Sequence, residues 1–196
     1  EPDAQNQVRA RAVEAAGKIA AANPRDAKTK ELGEAIVNTL KTEDALGAKQ
    51  DREVILMAVT AALRARPAGA DVAVAKFLTS TDARIRGDAG NTLSRLRAKN
   101  ANAELRSMLR RDPDVNARAN AARALGAAED KEAYGLLLDA AVNGDDQRVR
   151  VSAIRSLGSL KDVKALKPLV ELRSDCPLLH RRFLPFHKSP LSALLP

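Results

Sequence analysis

Residues 145–172, DDQRVRVSAIRSLGSLKDVKALKPLVEL, contain two helical patterns joined by a short polar link. In the first pattern, Val149, Ala153 and Leu157 follow one another at i, i+4 and i+8, so they lie on one stripe of a helix with 3.6 residues per turn. Asp146 comes just before this stripe, where its carboxylate can accept hydrogen bonds from the free N–H groups of the helix start. This segment therefore predicts a capped amphipathic helix followed by a second helix.

The second helix of the pair contains Pro168 in its predicted first turn, where the missing N–H of proline costs little. Between the two helices, Gly158 lies where the first apolar stripe ends, and Gly126 lies at the matching place one unit earlier. Glycine is common just past the end of a helix because it adopts a left-handed conformation without penalty. We therefore expect both glycines to stop the first helix of their pair.

The same pattern recurs along the chain at a spacing of 32 residues, and residues 112–126, DPDVNARANAARALG, carry it again. Six columns repeat in three successive units: Asp82, Asp114 and Asp146; Arg86, Arg118 and Arg150; Ala89, Ala121 and Ala153; Leu93, Leu125 and Leu157; Ala101, Ala133 and Ala165; and Leu105, Leu137 and Leu169. Self-similarity at a fixed period of this length is the signature of a stacked repeat protein.

The pattern is weaker towards the N-terminus. There, Val8, Ala12 and Ala16 are predicted to form the buried stripe of the first helix, Val54 begins another stripe at a register of 31, and residues 42–50 form the longest interior loop. The predicted helices cover residues 4–22, 27–41, 51–66, 70–79, 82–98, 101–111, 114–127, 130–142, 146–159 and 162–172.

These marks (an Asp, a Val-Arg pair, an Ala, a Leu-Gly and a second helix of the form Ala-Leu-x-Pro-Leu-Val) resemble HEAT-like repeats of the short bacterial, phycobilisome-lyase type. The resemblance implies an all-α fold, a right-handed α-solenoid of about five stacked antiparallel helix pairs of the HEAT/armadillo-like kind. It assigns residues 1–173 to the solenoid and residues 174–196 to a tail without repeats. It also implies that the Val-Arg helices line the concave side.

The composition agrees with closely stacked helices. Of 196 residues, 38 are alanine and only 2% are aromatic, so the core has to be filled by backbones that approach one another closely. The single cysteine excludes an internal disulfide framework. No apolar run approaches the ~18 residues of a membrane span, so we expect no membrane insertion.

Polar side chains occupy the face of the Val-Arg helices opposite to the apolar stripe. The candidate groove residues are Arg84, Asn91, Arg95, Asn116, Asn120, Arg123, Arg148, Ser152 and Arg155. Arginine at matching positions in successive helices suits binding of carboxylates, and an ordinary solvated helix face is the alternative. The sequence therefore predicts a non-catalytic, monomeric scaffold that presents an arginine-lined groove to a protein or peptide partner of acidic character.

The repeated charged columns predict a structural role. Because a residue repeated in every unit usually serves the repeated interface, we expect a ladder of charge-assisted hydrogen bonds between neighbouring loops. Its predicted members are Asp82, Arg86, Asp114, Arg118, Asp146 and Arg150.

Nucleic-acid binding is a second hypothesis. The formal net charge is +8, and residues 84–111 hold eight basic side chains against Asp88 and Glu104. Such a patch could neutralise phosphates. However, Phe77 and Tyr134 are the only aromatic residues before the tail, so stacking platforms for bases are missing.

Catalytic, cofactor-binding and metal-binding residues are not predicted. Cys176, His180 and His187 are the only Cys and His residues, and all lie in the tail, where the repeat is lost and a proline at 185 would break the next helix. A third hypothesis makes the chain a fragment, the repeat region of a larger enzyme whose catalytic domain is absent. The tail is interpreted as residues from a shifted reading frame, with an apolar capping tail and a partner-docking peptide as the alternatives. Cytoplasmic and periplasmic locations both remain open.

Overall fold

The computed structural model of this chain describes residues 4–174, and over that range its regular secondary structure is entirely helical. The α-helices are α1 (Ala4–Ala22), α2 (Lys28–Leu46), α3 (Arg52–Ala65), α4 (Ala70–Ala75), α5 (Ala83–Leu96), α6 (Asn102–Arg111), α7 (Val115–Ala127), α8 (Tyr134–Asn143), α9 (Gln147–Leu160) and α10 (Leu166–Ser174). Short 3₁₀ segments lie at Gly47–Lys49, Lys76–Thr79, Lys131–Ala133 and Val163–Ala165. The predicted all-α class is confirmed.

The chain divides into two compact units at Lys161 and Asp162. The first unit contains α1 to α9, and the described part of the second contains α10 and the 3₁₀ turn before it. In that second unit Pro168 lies in the first turn of α10, as predicted. The predicted boundary between solenoid and tail stays a prediction, because residues 175–196 lie outside the described residues.

In the first unit, odd-numbered helices form one row and even-numbered helices a second. Each odd-numbered helix contacts the next one along the row, from α1 to α9, and each even-numbered helix packs against the odd-numbered helix that follows it. Because the connections are short, consecutive helices run antiparallel. This stacking of helix pairs is an α-solenoid.

An aspartate begins each of the odd-numbered helices from α3 onwards. Asp51, Asp82, Asp114 and Asp146 are the N-caps, and each carboxylate accepts a hydrogen bond from a backbone N–H in the first turn of its helix. The capping role predicted for Asp146 is therefore confirmed. It fixes the start of each helix, and with it the position of the side chains in the first turn.

The prediction that glycines stop these helices is wrong. α7 continues past Gly126, and α9 continues past Gly158. The left-handed residues that end α3, α5 and α9 are Arg66, Arg97 and Lys161.

Gly126 has a packing role. A Cβ atom at this position would lie 2.5 Å from the Cβ atom of Ser156 and 2.7 Å from its Cα atom. α7 and α9 can therefore approach as closely as they do only because position 126 has no side chain. A glycine within a helix here serves close approach of two backbones, and not termination.

The repeated apolar columns form the core. Ala89, Ala121, Ala153, Leu93, Leu125, Leu157, Ala101, Ala133, Leu105 and Leu137 are all buried. The small side chains allow the rows to approach each other, and the leucines fill the space between them. The 32-residue period is thus a period of core packing.

Two predictions for the N-terminal region are wrong. The buried stripe of α1 is Ala10, Val13, Gly17 and Ala20, whereas Val8 is 69% exposed. The buried stripe of α1 packs closely on α3, where a Cβ atom at Gly17 would lie 2.6 Å from the Cβ atom of Ala61.

The interior loop predicted at residues 42–50 is mostly helix, because α2 runs to Leu46 and a 3₁₀ turn follows. Glu43, within this stretch, is fully buried. Its carboxylate is satisfied by two donors, Arg9 and the backbone N–H of Asp51. A paired carboxylate can be buried within a helix, whereas an unpaired one could not.

Candidate functional site

Two depressions lie side by side on the face of α5, α7 and α9 that points away from the buried stripe. The first, here called the basic depression, lies between α7 and α9 and has a volume of about 430 Å³. The second, the acidic depression, lies between α5 and α7 and has a volume of about 410 Å³. Asn116, in the first turn of α7, lines both.

The basic depression is lined by Asn116, Ala119, Arg123, Gln147, Arg148, Val151, Ser152 and Arg155. Arg148 donates a hydrogen bond from Nη1 to Oδ1 of Asn116 at 3.1 Å, and its Nη2 lies 3.3 Å from Oδ2 of Asp146. One arginine of this depression is therefore held in place by a neighbouring amide and a carboxylate. No acidic side chain is among the lining residues.

The other two arginines of the basic depression are more available. Arg123 is exposed and donates to the side-chain oxygen of Asn120. Arg155 is exposed, and within residues 4–174 its guanidinium has no hydrogen-bond or ion-pair partner. Val151, one turn before Arg155, adds partly exposed apolar surface, whereas Ala119 is buried. Guanidinium groups and one partly exposed valine therefore line this depression.

The acidic depression has the opposite balance of charge. Its charged lining residues are Arg84, Asp88 and Asp114. Arg84 donates from Nε to Oδ2 of Asp88 at 2.7 Å, and Oδ1 of Asp114 accepts the backbone N–H of Ala117 at 2.8 Å. Two carboxylates therefore face one guanidinium.

A side-chain hydrogen bond fixes α7 against α5 beside the acidic depression. Asn120 is 8% exposed, and its Nδ2 donates to the carbonyl oxygen of Gly87 at 2.7 Å. This bond links the two helices across their contact.

The charges of this face are stabilised in their ionised forms. A hydrogen bond from Arg148 lowers the pKa of Asp146, and the backbone N–H of the same residue lowers it further. The hydrogen bond to Asp88 raises the pKa of Arg84. Arg84 in the acidic depression, and Asp146 beside the basic one, are therefore favoured in their charged forms.

Seven of the nine predicted groove residues line these depressions, and two do not. Arg84 and Asn120 line the acidic one, Asn116 lines both, and Arg123, Arg148, Ser152 and Arg155 line the basic one. Asn91 is half-buried on α5 and Arg95 is exposed one turn further on, and neither belongs to the two depressions.

The lining residues that sequence reasoning omitted, among them Gln147 and Val151, flank the predicted i, i+4 row. Helical spacing alone selects the centre of a face. Its borders depend on how far the neighbouring helix leaves each side chain exposed.

The predicted ladder has a different geometry from the expected one. The three aspartates of the ladder are N-caps, and the arginines bind other groups. Arg86 forms a two-fold contact with Asp112, with Nε to Oδ2 at 2.7 Å and Nη2 to Oδ1 at 2.8 Å. Arg118 reaches Oδ1 of Asp145 at 3.1 Å, and Arg150 donates to the carbonyl oxygen of Ala141.

The contacts of Arg86 and Arg118 link successive odd-numbered helices. Each guanidinium also donates to two backbone carbonyl groups of the loop before its own helix, those of Ser80 and Thr81 in the case of Arg86. The carboxylate in turn belongs to the loop before the next odd-numbered helix. We call this arrangement the Arg–carboxylate bridge, and it is structural because it lies at the loops between repeats and away from the polar face.

The same bridge joins α1 and α3 with different residues. Arg9 donates from Nη2 to Oε1 of Glu43 at 2.6 Å, and Oε2 of Glu43 accepts the backbone N–H of Asp51, the N-cap of α3, at 2.8 Å. Asp112 likewise accepts the N–H of Asp114, the N-cap of α7. No repeated spacing could have revealed Glu43, because it lies eight residues before its capping aspartate whereas Asp112 lies two residues before Asp114.

The basic segment at residues 84–111 is not one continuous patch. Arg84 pairs with Asp88, Arg86 with Asp112, and Arg106 with Asp130 and Glu132. The remaining cations are divided between two ends of the α5–α6 pair: Arg95, Arg97 and Lys99 lie near the end of α5, whereas Arg110 and Arg111 lie at the end of α6. Since the helices are antiparallel, about 15–20 Å separates these groups.

Histidine and cysteine do not occur within residues 4–174. Cys176, His180 and His187 lie outside this range, so the prediction that they carry no reaction stays a prediction. Within residues 4–174, no group of His, Cys, Asp and Glu side chains is arranged to hold a metal ion. None of the described helices combines the length and apolarity that a membrane span needs.

Comparison with known proteins identifies the repeat. Residues 102–182, from α6 onwards, match the family model described as HEAT repeats. No curated protein matches the chain. The matched segment contains α7, α9 and the whole basic depression.

Proposed function

Because this chain is a HEAT-like repeat protein, we propose that it is a non-catalytic protein-interaction scaffold whose α5, α7 and α9 face binds a segment of a partner protein. The observation that carries the proposal is the basic depression, where three arginines meet without an acidic lining residue. HEAT repeats commonly serve as scaffolds for protein interactions.

The chemistry of the basic depression favours a carboxylate-bearing partner. A guanidinium presents donors in a planar fork that matches the two oxygens of a carboxylate. Arg123 and Arg155 are exposed, so a partner can reach them without displacing a buried contact. Opposite charges across an interface favour association and select against other partners.

Rigid stacking supports the same function. The helices that present the arginines are fixed by the close approach of Gly126 to Ser156 and by the Arg118–Asp145 bridge. A site whose backbone is already ordered pays less conformational entropy when it binds. The scaffold therefore presents its side chains in a nearly fixed geometry.

Peptide selection tests the proposal. Random-sequence peptides displayed on phage are selected against the wild-type protein, and the most enriched peptide is measured by fluorescence anisotropy. We expect the selected sequences to be enriched in Asp and Glu. We expect the double charge reversal Arg123→Glu with Arg155→Glu to weaken binding about tenfold or more, since each tenfold change is 1.4 kcal/mol of binding free energy.

The control variant is Arg64→Glu with Lys99→Glu, which changes the net charge equally and alters exposed residues outside both depressions. It should bind the peptide nearly as the wild type does. Equal affinity in the Arg123/Arg155 variant and the wild type would contradict the proposal. Strong, salt-dependent binding of duplex DNA to the wild type, lost when Arg110 and Arg111 are reversed, would support the nucleic-acid hypothesis instead.

A further inference from the structure

We infer that the polar face recognises two opposite charges in one extended partner segment, a carboxylate in the basic depression and an ammonium or guanidinium group in the acidic depression. This inference rests on the proposed function, because it assigns the chemistry of the partner that the same face binds. To the proposed function it adds a second charged residue in the partner, the spacing between the two charged residues, and their order along the partner chain.

The basic depression selects the carboxylate. Arg155 has no partner within residues 4–174, and Arg123 is bonded only to the neutral amide of Asn120. These two guanidinium groups lie at one position of the repeat in successive helices, 32 residues apart in the chain. A carboxylate between them would be bound by charge-assisted hydrogen bonds from both sides.

The acidic depression selects a cation. Asp88 uses Oδ2 for Arg84, and Asp114 uses Oδ1 for the N–H of Ala117, so each carboxylate retains an oxygen outside these bonds. With one guanidinium against two carboxylates, the depression has a formal charge of −1. A purely acidic peptide would meet repulsion here, whereas a peptide with a basic residue at this point would gain an ion pair.

The spacing follows from the stacking of the helices. The two depressions occupy adjacent grooves on either side of α7 and share Asn116. Neighbouring packed helices lie about 8–10 Å apart, and an extended chain advances about 3.3 Å per residue. The acidic and basic residues of the partner should therefore be about three positions apart, with apolar or small residues between them against Val151 and Ala119.

Four synthetic peptides of equal composition test this inference. Two place Glu and Lys three positions apart, in either order along the chain, and two place them next to each other in either order. Binding is followed by chemical-shift changes in ¹H–¹⁵N spectra of the labelled protein at millimolar peptide. We expect one order at the wider spacing to bind about fivefold tighter than the adjacent arrangements, corresponding to about 1 kcal/mol.

Charge-swapped variants make the test specific. Arg155→Glu and Asp88→Lys should each weaken the preferred peptide. In the double variant both depressions carry the same formal charge of +1, so it should no longer distinguish the two orders of Glu and Lys. Asp88→Asn removes the negative charge but keeps the shape of the side chain, and it should also weaken binding of the preferred peptide. Thermal unfolding of each variant confirms that the fold is retained.

The outcomes separate the two proposals. Weakening by Arg155→Glu, with no effect of Asp88→Lys, of Asp88→Asn or of spacing, would overturn the inference and leave the proposed function in place. Binding that is insensitive to all variants would overturn both. Absence of shift changes with all four peptides would overturn the inference as well, because a peptide with both charges at the right spacing should be bound.

Discussion

The contact between α5 and α7 and the contact between α3 and α5 are successive steps of one row, and they are built differently. Between α5 and α7, Arg86 and Asp112 form a bridge in which the two side chains are 12% and 5% exposed. Between α3 and α5, the ion pair is Arg52 with Asp82, at 62% and 28% exposure. Ile55 stands where the later helices have the bridging arginine, and Ser80 stands at the repeat position of Asp112.

The surfaces that α5 and α3 present to the next helix of the row also differ in the size of their side chains. Gly87 and Gly90 of α5 face α7, and Asn120 is the residue nearest to both. At the matching positions of α3, counted at the register of 31 residues, the chain has Leu56 and Val59. α3 and α5 share the smallest contact of any neighbours in the row.

What replaces the bridge between α3 and α5 is apolar burial. Phe77, in the 3₁₀ turn that contacts α5 and α6, is the largest fully buried side chain of the described residues. The comparison shows that one junction of the row contains a buried ion pair with backbone contacts, whereas at the other the matching position holds a buried apolar residue, Ile55. Four stability measurements test this difference between the junctions.

The largest effect is expected for Phe77→Ala, since loss of a fully buried aromatic ring removes transfer free energy and leaves a cavity. The free energy of unfolding should fall by about 3–5 kcal/mol, measured by urea denaturation followed by circular dichroism. Val72→Ala, on the same helix pair but 54% exposed, is the control and should change it by less than about 0.5 kcal/mol. A loss below about 1 kcal/mol for Phe77→Ala would show that the junction does not depend on this side chain.

The next effect concerns the bridge itself. Asp112→Ala leaves the buried guanidinium of Arg86 without its carboxylate, and removal of one partner from a buried ion pair costs about 3 kcal/mol or more. Arg52→Ala, at the exposed pair between α3 and α5, should cost at most about 1 kcal/mol. Both are measured by the same urea denaturation. Equal losses would remove the distinction between the two junctions.

A third experiment replaces a glycine by alanine in α7 and, as a control, in α9. Gly126→Ala should destabilise the protein by about 1–3 kcal/mol, because the new Cβ atom would collide with Ser156 and force α7 and α9 apart. Gly158→Ala meets no atom within 4 Å and should stabilise α9 by about 0.5–1 kcal/mol through helix propensity. Thermal unfolding midpoints should therefore move in opposite directions, and movement in the same direction would contradict the close-approach role of Gly126.

The smallest effect is a dependence on pH. Burial disfavours the charge of Asp112, but the bonds from Arg86 and the N–H of Asp114 outweigh it, and the pKa of Asp112 is lowered. Its contribution to stability is therefore complete above its unfolded pKa of about 3.9 and is lost as the pH falls through its lower folded pKa. Asp112→Asn should reduce the loss of stability below about pH 4 by an amount on the order of 1 kcal/mol. An unchanged acid profile would contradict this assignment.

The sequence was sufficient to predict what repeats at identical positions. The Asp caps and the buried Ala and Leu columns recur at 32 residues because each performs the same local task in each unit. Helix boundaries followed from them to within a few residues. The centre of the polar face followed from helical spacing, which placed Arg123 and Arg155 in one depression.

The bridges could not be predicted in this way, because their acidic members change position. Asp112 corresponds in register to Gly144, whereas the bridging carboxylate of the next unit is Asp145. A long arginine side chain reaches either position, so the contact survives a shift that removes it from any column. Glu43 fulfils the task from within a helix, which no periodicity indicates.

The contact between α3 and α5 lacks the Arg–carboxylate bridge, and this affects where a repeat chain of this kind can gain or lose helix pairs. A repeat inserted between α7 and α9 would have to supply both a small residue for Gly126 and a carboxylate for Arg118. A repeat inserted after α3 would have to satisfy neither requirement, because Ile55 requires no ionic partner. Duplication or loss of helix pairs is therefore tolerated best at this point, and it would leave the polar face of α5, α7 and α9 intact.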